Sequence, residues 1–374
     1  MTLDTYRLMI PGPIQLVPEV LAEMSRPIVP HYGTEWTRFH KETLELLKPI
    51  FRTQGTIFAI PGSGSAGLEA ALRTTLGPDR RLLVLSNGFF GERVAAIAES
   101  LHSNVVVKKL PVDRPISAAD LRCAINGSNT LTAVAVVHSE SSSGLLNPIR
   151  DLAAVCREQD LLFLVDAISS LGGIELAMDD WGVDLCIAAS QKCLEGPPGL
   201  GLVAVGKRVW SRVSGEPPGG WYLDLHVWKR YAEEWSDWHP FPVTMAVPAF
   251  RSLRKGIDRI LEEGLECRIS RHMESAHYAR TAFRELGFDP VFTDEVASPT
   301  ILAIRGHADV GADEVVSRLK AEHRILVARG MGRFAGEAFR VGNMGPQATR
   351  SEMEPVIDAI GKLIPHESGE EKAQ

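Results

Sequence analysis

Short runs of apolar residues alternate with amphipathic stretches from about residue 16 to residue 210. The apolar runs have the length of buried strands, and the amphipathic stretches have the three-to-four-residue spacing of helices. This alternation predicts a mostly parallel sheet with helices covering both faces. The predicted strands are 56–60, 81–86, 104–110, 131–138, 161–166, 184–189 and 201–205, and the predicted helices are 65–75, 91–101, 117–124 and 149–159.

Two neighbouring predicted strands, 184–189 and 201–205, break this rhythm. Only residues 190–200 connect them, and the connection contains the turn-forming sequence Gly-Pro-Pro-Gly at 196–199. A crossover between parallel strands needs a dozen residues or more, usually a helix. We therefore expect one strand to run antiparallel to the rest of the sheet.

The chain beyond residue 210 has a different pattern. Residues 213–245 are irregular and rich in Trp, Gly and Pro, which predicts a long loop region. A long helical pattern follows at 248–286. Shorter elements then alternate, which predicts a smaller α+β domain; its strands are 298–305, 325–328 and 338–342, and its helices are 312–322 and 351–363.

These patterns divide the chain into four parts. We expect an N-terminal arm over residues 1–15, a large domain over 16–250, a smaller C-terminal domain over 251–366 and a flexible polar tail over 367–374. The predicted fold class is α/β, and the large domain is expected to hold a seven-stranded, mostly parallel sheet with one antiparallel strand.

Composition and charge narrow the classes of function. Of the 374 residues, 45% are hydrophobic and 23% are charged, as in ordinary globular proteins. The net charge is −7, so no basic field favours nucleic acid or anionic lipid. The five cysteines form no C-x-x-C pair, and no apolar run reaches about 18 residues. We expect a soluble cytoplasmic protein with reduced thiols, and no metal site.

A glycine-rich turn precedes the first predicted helix of the large domain. Residues 62–67 are Gly-Ser-Gly-Ser-Ala-Gly, which formally match a dinucleotide-binding pattern. That pattern also requires an acidic residue at the end of the next strand, where this chain has Ser86-Asn87-Gly88. Backbone N–H groups at a helix N-terminus bind a single phosphate group equally well. A plain glycine-rich turn that binds no ligand is the alternative.

Two ionisable residues follow buried strands of the same predicted sheet. Asp166 ends the apolar strand 161–166, and Lys192 follows the apolar strand 184–189 by three residues. Each has an ordinary alternative, a helix N-cap for the aspartate and an exposed turn residue for the lysine. Together with the turn at 62–67, however, they supply a phosphate site, an acid for a pyridine nitrogen and a desolvated amine. Pyridoxal phosphate requires that combination.

With these residues the chain resembles the class V branch of fold-type-I pyridoxal-phosphate enzymes, in particular the alanine–glyoxylate, serine–glyoxylate and serine–pyruvate aminotransferases. The resemblance covers nearly the whole chain, from Pro11-Gly12-Pro13 to about Leu363. The motifs that carry it are residues 165–173, Ser190-Gln191-Lys192 with the Gly-Pro-Pro-Gly turn, Gly62-Ser63-Gly64, Glu140-Ser141-Ser142-Ser143-Gly144 and Phe339-Arg340-Val341-Gly342.

The resemblance implies a role for each matching residue. Lys192 would be the Schiff-base lysine and the later proton shuttle, and Asp166 would pair with the pyridinium nitrogen. The other implied contacts are Ile168 and Phe90 on the two faces of the ring, Ser63, Gly64, Ser65 and Gln191 at the phosphate, Ser141 near the cofactor hydroxyl and the substrate carboxylate, and Arg340 as the clamp of that carboxylate.

In this family a loop of the other subunit closes the active site, with a Tyr and a Thr reaching the phosphate. The matching segment is Phe-Pro-Val-Thr at 241–244, so Thr244 is kept and Phe241 replaces the Tyr. One phosphate hydrogen bond is therefore expected to be lost or replaced. This segment, with Lys192-Cys193-Leu194 and Met344-Gly345-Pro346, also resembles pyridoxamine–pyruvate aminotransferase, which acts on the free vitamer.

The implied activity is ping-pong transamination in a homodimer whose active site lies at the subunit interface. With Arg340 as the one obvious carboxylate clamp, the expected substrates are small monocarboxylic acids: alanine or serine as donor, and glyoxylate or pyruvate as acceptor. A pyridoxamine–pyruvate aminotransferase and a pyridoxal-phosphate lyase on the same scaffold are the alternatives. A dehydrogenase and a non-catalytic binding protein are weaker ones.

Overall fold

The computed structural model describes residues 5–77, 79–102, 104–127, 130–213 and 220–365. Its strands are β1 (Arg7–Leu8), β2 (Thr56–Pro61), β3 (Leu82–Ser86), β4 (Val105–Lys109), β5 (Ala133–Val137), β6 (Ser139–Glu140), β7 (Leu145–Leu146), β8 (Leu162–Asp166), β9 (Leu185–Ala189), β10 (Leu200–Val205), β11 (Ile301–Arg305), β12 (Ile325–Leu326), β13 (Ala328–Arg329) and β14 (Ala338–Gly342).

The helices lie between these strands. They are α1 (Pro18–Met24), α2 (Thr34–Phe51), α3 (Gly64–Thr75), α4 (Phe89–Leu101), α5 (Ala118–Asn126), α6 (Ile149–Glu158), α7 (Met178–Trp181), α8 (Lys207–Val213), α9 (Leu225–Glu234), α10 (Val247–Glu263), α11 (Leu265–Glu285), α12 (Ala312–His323) and α13 (Arg350–Gly361). The amphipathic pattern predicted those at α3 to α6 and α10 to α13, whereas α1, α2, α7, α8 and α9 were not predicted.

Within the described residues, seven strands form one sheet in the order β2-β10-β9-β8-β5-β3-β4. Strand β10 pairs antiparallel with both β2 and β9, whereas the remaining pairs are parallel. The prediction of one antiparallel strand is confirmed, because the short connection after β9 turns the chain back at once. In register, Asp166 lies beside Val137 on one side and Ile187 on the other. The carboxyl ends of β5, β8 and β9 therefore meet at one edge.

A smaller antiparallel sheet, in the order β11-β14-β13, packs with helices α11, α12 and α13 around a second hydrophobic cluster. Strand β1 of the predicted arm pairs parallel with β12, and Met9 is buried in this second cluster. The arm is thus attached to the smaller sheet region by its backbone and by one apolar side chain.

The helical pattern predicted as continuous over 248–286 is two helices. Gly264, with φ +81°, ends α10 and precedes α11, and that left-handed conformation suits glycine. Phe250 on α10 packs in the large cluster, whereas Phe283 on α11 packs in the second. The chain thus passes from the large hydrophobic cluster to the second one between α10 and α11. The residue limits of the domains remain a prediction.

The loop predicted over 213–245 contains helix α9. Its N-cap Asp224 accepts a hydrogen bond from the His226 N–H at 2.9 Å, and Leu225 and Trp228 are buried. Short helices with one buried face are easily missed when Trp, Gly and Pro dominate their surroundings. Residues 214–219 and the predicted tail 367–374 lie outside the described residues. Across the described part of the chain, no helix has both the length and the hydropathy to span a membrane.

Candidate active site

Asp166 lies at the carboxyl end of β8, where the three central strands meet. Its side chain is buried, and Oδ1 accepts a hydrogen bond from the Ile168 N–H at 2.9 Å within a turn. No helix starts at this turn, so the N-cap alternative does not apply. Burial raises the pKa of Asp166 to about 7, and the charge of Glu140 adds to this while Lys192 opposes it. A partner with positive charge would restore the ionised carboxylate.

Lys192 lies in the turn after β9, and its ammonium group is covered by the N-terminal arm. The Lys192 Nζ donates a hydrogen bond to the Pro11 carbonyl, and a Cβ atom at Gly12 would lie 2.5 Å from the same Nζ. Gly12 also has φ +92°, so both space and backbone conformation suit glycine. Desolvation lowers the pKa of Lys192 to about 8. The contacts of Pro11 and Gly12 with the lysine were not predicted.

The glycine-rich turn links β2 to the start of α3, as the phosphate hypothesis requires. Ser63 is the N-cap residue, but its side chain makes no capping hydrogen bond. The first N–H groups of a helix have no partner within it, so those of Gly64 and Ser65 are placed to bind an anion. A Cβ atom at Gly64 would lie 2.6 Å from the Ile168 side chain, which places Ile168 directly over this turn.

Gln191 precedes the lysine and is half-buried. Its backbone carbonyl accepts a hydrogen bond from the Ile14 N–H at 3.1 Å, which ties the arm to the lysine turn. Its side-chain oxygen is buried without a hydrogen-bond partner among the described residues. An unpaired buried acceptor is costly, and turning this amide about its last torsion angle would point its NH2 donors into the same space.

Phe90 lies in the first turn of α4 and presents a half-buried ring. The Arg93 guanidinium lies 4.9 Å from the centroid of this ring. The Phe90 N–H donates to the Glu140 carboxylate at 3.1 Å. Glu140 belongs to a motif that supports the resemblance, yet the sequence reasoning gave it no role. A lone acidic residue directly after an apolar strand was the signal available.

Arg340 lies in β14 of the smaller sheet and points back toward the strand ends of the large one. Its Nη1 donates to the Ser141 carbonyl at 2.5 Å, and its Nε donates to the Arg329 carbonyl at 3.0 Å. Among the described residues no carboxylate oxygen lies within 4.0 Å of this guanidinium. Burial lowers the pKa of Arg340 to about 10. A buried cation without an acidic partner favours an anionic ligand.

Among the described residues, no hydrogen bond joins residues 241–244, the segment expected to reach the other subunit, to the candidate site residues. Thr244 is exposed on the surface of its own chain. Phe241 is fully buried, with its ring centroid 4.6 Å from that of His239 and 4.9 Å from that of His40. The Phe241 ring is therefore a packing element of its own chain in this structure.

Comparisons with known proteins identify the family of this chain. The family model described as Aminotransferase class-V matches residues 19–335. The chain belongs to the class V aminotransferase family. An uncharacterized aminotransferase of Methanocaldococcus jannaschii is 32% identical over 90% of this chain and 87% of its own.

Solved structures of the family have the same fold. An alanine–glyoxylate aminotransferase from Nostoc sp. superposes with a TM-score of 0.92 at 28% identity, covering 98% of this chain and 97% of its own. A pyridoxamine–pyruvate aminotransferase from Mesorhizobium loti gives 0.90 at 26% identity, covering 96% and 92%. This class V aminotransferase is therefore a fold-type-I enzyme, with a large domain and a smaller α+β domain.

The residues at the strand ends fit pyridoxal phosphate, on which this family depends. Asp166 would hold the ring nitrogen, Ile168 would cover one ring face, and the Gly64 and Ser65 N–H groups would hold the phosphate. Gln191, whose side-chain oxygen has no partner among the described residues, precedes Lys192, and its NH2 group would donate to the phosphate once the amide is turned toward it. The donor set matches the chemistry of the cofactor at each point. These individual roles remain proposals.

Proposed function

We propose that this aminotransferase moves an amino group from a small amino acid, alanine or serine, to glyoxylate or pyruvate, with bound pyridoxal phosphate and by a ping-pong mechanism. The observation that carries this proposal is Arg340, a buried cation held only by backbone carbonyls of the described residues. It faces the same strand ends as Lys192 and Asp166, whose charges influence each other's pKa. A substrate carboxylate completes the arrangement.

Each side chain has a defined task in this proposal. Pyridoxal phosphate, when bound, supplies an electron-withdrawing ring for the substrate α-carbon. Asp166 keeps the ring nitrogen protonated, and Arg340 orients the substrate carboxylate with two parallel donors. The Lys192 amine takes and returns the α-proton, and because its pKa is about 8, about a tenth of it is neutral at pH 7, far more than for an ordinary lysine.

Two other arginines of the smaller domain, Arg329 and Arg333, could in principle bind a second substrate carboxylate. The Arg329 guanidinium pairs with Asp313 at 3.3 Å, and that of Arg333 pairs with Asp113 at 3.4 Å. Both charges therefore already have acidic partners. A second substrate carboxylate would have to compete for them. A monocarboxylic donor and acceptor suit the site better than aspartate or glutamate.

A second candidate is favoured by Phe241. The alternative activity uses free pyridoxamine and pyruvate, as the name of the Mesorhizobium loti neighbour describes for that protein. Phe241 lacks the hydroxyl that the resemblance places at the phosphate in other members, which would weaken retention of a phosphorylated cofactor. The small residues of the turn at 62–65 favour phosphate, and we retain the first proposal.

We also propose that two copies of the chain form the active enzyme in the cytoplasm. Thr244 is exposed, and the resemblance places this residue at the phosphate of a second copy. The five cysteines fit a reducing compartment, because the described thiols are free. The expected partners are small amino acids and 2-oxo acids.

The deciding experiment is the visible absorption spectrum of the purified protein. Alanine, serine, glycine, glutamate and free pyridoxamine are added one at a time. We expect a visible band of bound pyridoxal phosphate that alanine or serine bleaches and that glyoxylate or pyruvate restores. Lys192→Ala is expected to lose at least about a thousandfold in transamination rate.

Two other results would change the interpretation. A colourless protein that responds only to pyridoxamine with pyruvate would replace the proposal with the free-vitamer activity. Ammonia released from the donor without any acceptor would indicate a lyase.

A further inference from the structure

The first turn of α4 is fastened by side chains from a distant segment. Its N-cap residue Gly88 has no side chain to satisfy the first N–H groups. The Phe89 N–H instead donates to the Ser142 Oγ at 3.2 Å. The N–H groups of Phe90 and Gly91 donate to the Glu140 carboxylate, each at 3.1 Å. The turn after β5 therefore caps this helix.

Glu140 is fully buried and uses both carboxylate oxygens as acceptors. One oxygen receives the N–H of Ser142 at 3.0 Å and its hydroxyl at 2.5 Å, and the other receives the N–H groups of Phe90 and Gly91. A Cβ atom at Gly88 would lie 2.4 Å from the Glu140 Cγ, so the glycine permits this close approach. An uncharged amide could not replace the carboxylate, because its NH2 group would face other donors.

No cation compensates this buried charge directly. Among the described residues no Lys, Arg or His nitrogen lies within 4.0 Å of the Glu140 carboxylate. Its negative charge is stabilised by N–H donors, by the positive end of the α4 dipole and, from farther away, by Arg340, whose pKa the Glu140 charge raises against the effect of burial. The carboxylate accepts from Ser142 on one oxygen and from the first N–H groups of α4 on the other, and it therefore ties that helix start to the turn at 140–142.

The same turn also fixes the substrate side of the site. The Ser141 carbonyl, next to Glu140, accepts a hydrogen bond from Arg340 Nη1 at 2.5 Å. Residues 140–142 thus contact both the helix that carries Phe90 and the arginine expected to clamp the substrate. A shift of this turn would move the two together.

We propose that Glu140 is a positioning residue. It holds the Phe90 ring against the cofactor and fixes the position of this ring relative to Arg340. The proposal rests on the proposed function, because it needs a cofactor ring for Phe90 to cover. Glu140 itself touches neither cofactor nor substrate in this proposal. It acts through the backbone of α4 and through the turn at 140–142.

The test compares Glu140→Gln with Asp184→Asn. Asp184 is also buried, and its carboxylate accepts a hydrogen bond from the Phe163 N–H at 2.8 Å. It directly precedes β9, at the amino end of that strand, whereas the candidate site lies at the carboxyl ends. Both variants convert a buried carboxylate to an amide, with an NH2 group in place of one oxygen. The measurements are the dissociation constant of pyridoxal phosphate, visible circular dichroism of the loaded protein, and hydrogen exchange of the Phe90 and Gly91 amides in the cofactor-free protein.

We expect Glu140→Gln to weaken cofactor binding by about tenfold, since buried donors lose their acceptor. Its visible dichroism should change and the two amides should exchange faster, while Asp184→Asn keeps wild-type values for all three. Identical behaviour of the two variants overturns the proposal. If the wild type shows no visible band with added cofactor, the proposed function fails instead.

A milder variant covers the case in which Glu140→Gln does not fold. Ser142→Ala keeps the carboxylate but removes one of its donors and the acceptor of the Phe89 N–H. We expect the same changes in dichroism and amide exchange, with cofactor binding weakened about threefold. Wild-type dichroism and exchange in this variant would overturn the proposal.

Discussion

Two buried arginines on either side of the lysine turn are held in opposite ways. Arg268 pairs with Glu195 at 2.7 Å and Glu263 at 2.8 Å. It also donates to the carbonyls of Gly172 and Cys193, both at 2.8 Å. Arg340 is comparably buried, yet its contacts among the described residues are carbonyls alone. The first charge is neutralised by the fold, whereas the second has no acidic partner within 4.0 Å among the described residues, and the proposed function assigns it to the substrate carboxylate.

The ion-paired Arg268 stabilises the fold, whereas Arg340, without an acidic partner among the described residues, is the one to which the proposal assigns a function. The Arg268 network holds the Cys193 carbonyl and thereby supports the turn that presents Lys192. On the other side of the lysine, the Pro11 carbonyl is the only acceptor found for its Nζ among the described residues. The ion-paired network supports the turn, whereas Lys192 and Arg340 beside it have no acidic partner within 4.0 Å among the described residues, and the proposed function uses both.

The largest expected effect on stability comes from Arg268→Met. Removing one partner of a buried ion pair costs about 3–5 kcal/mol, and the lower end is expected because Arg259 still contacts Glu195 at 2.9 Å. Urea denaturation of the cofactor-free protein measures the change. A loss below about 1 kcal/mol would remove the distinction between the two arginines.

Arg340→Met is expected to change catalysis rather than stability. Losing charged hydrogen bonds to a substrate carboxylate costs about 1.5–3 kcal/mol, so kcat/KM for alanine or serine should fall about 10- to 150-fold. The free energy of unfolding should stay equal or rise, because an unpaired buried charge is removed. A primary amine without a carboxylate serves as the control donor, and an equal loss with this amine would contradict the clamp.

Asp166→Asn tests the raised pKa of this buried acid through the pH dependence of the free energy of unfolding. Because the pKa of Asp166 is raised to about 7, the folded cofactor-free protein holds a proton that the unfolded chain releases near pH 4. Stability from this group is present at low pH and is lost as pH rises through 7. We expect the wild-type unfolding free energy to fall by about 2 kcal/mol relative to the variant between pH 5 and pH 7.5. Parallel pH curves for the two proteins would refute the assignment.

The smallest expected effect is that of Thr244→Val. The hydroxyl is exposed in one chain, and in the proposed dimer it contacts the phosphate of the other. Its removal should cost about 1 kcal/mol, which is about fivefold in cofactor affinity. Equilibrium dialysis at high and low protein concentration measures it. A variant with unchanged affinity at both concentrations would argue against a phosphate contact by this residue.

Much of the large sheet was predictable from the sequence, because its strands are uninterrupted apolar runs bounded by polar turns. The predicted strand 161–166 matches β8 to within one residue, and the reversal before β10 followed from a short connection. Asp166 and Lys192 were identifiable since ionisable residues directly after such strands are rare. The break at Gly264 and helix α9 were missed, because their patterns are locally ambiguous.

The contacts that complete the candidate site could not be predicted in this way. The Pro11 carbonyl meets Lys192 across 181 residues of sequence, and Ser141 meets Arg340 across 199. Glu140 caps a helix that begins about 50 residues earlier. Such pairs depend on how the strands are ordered in the sheet and on how the arm folds back.

By itself, the sequence determined the seven strands of the large sheet, the starts of the helices that follow β2, β3, β4 and β7 to within two residues, and the types of side chain at the strand ends, because hydrophobic periodicity and backbone preference act over a few residues. The tertiary structure alone decided which charges are neutralised and which remain open. That outcome depends on burial and on distances between segments far apart in the chain, and it distinguishes Arg268 from Arg340 although both are arginines in apolar surroundings.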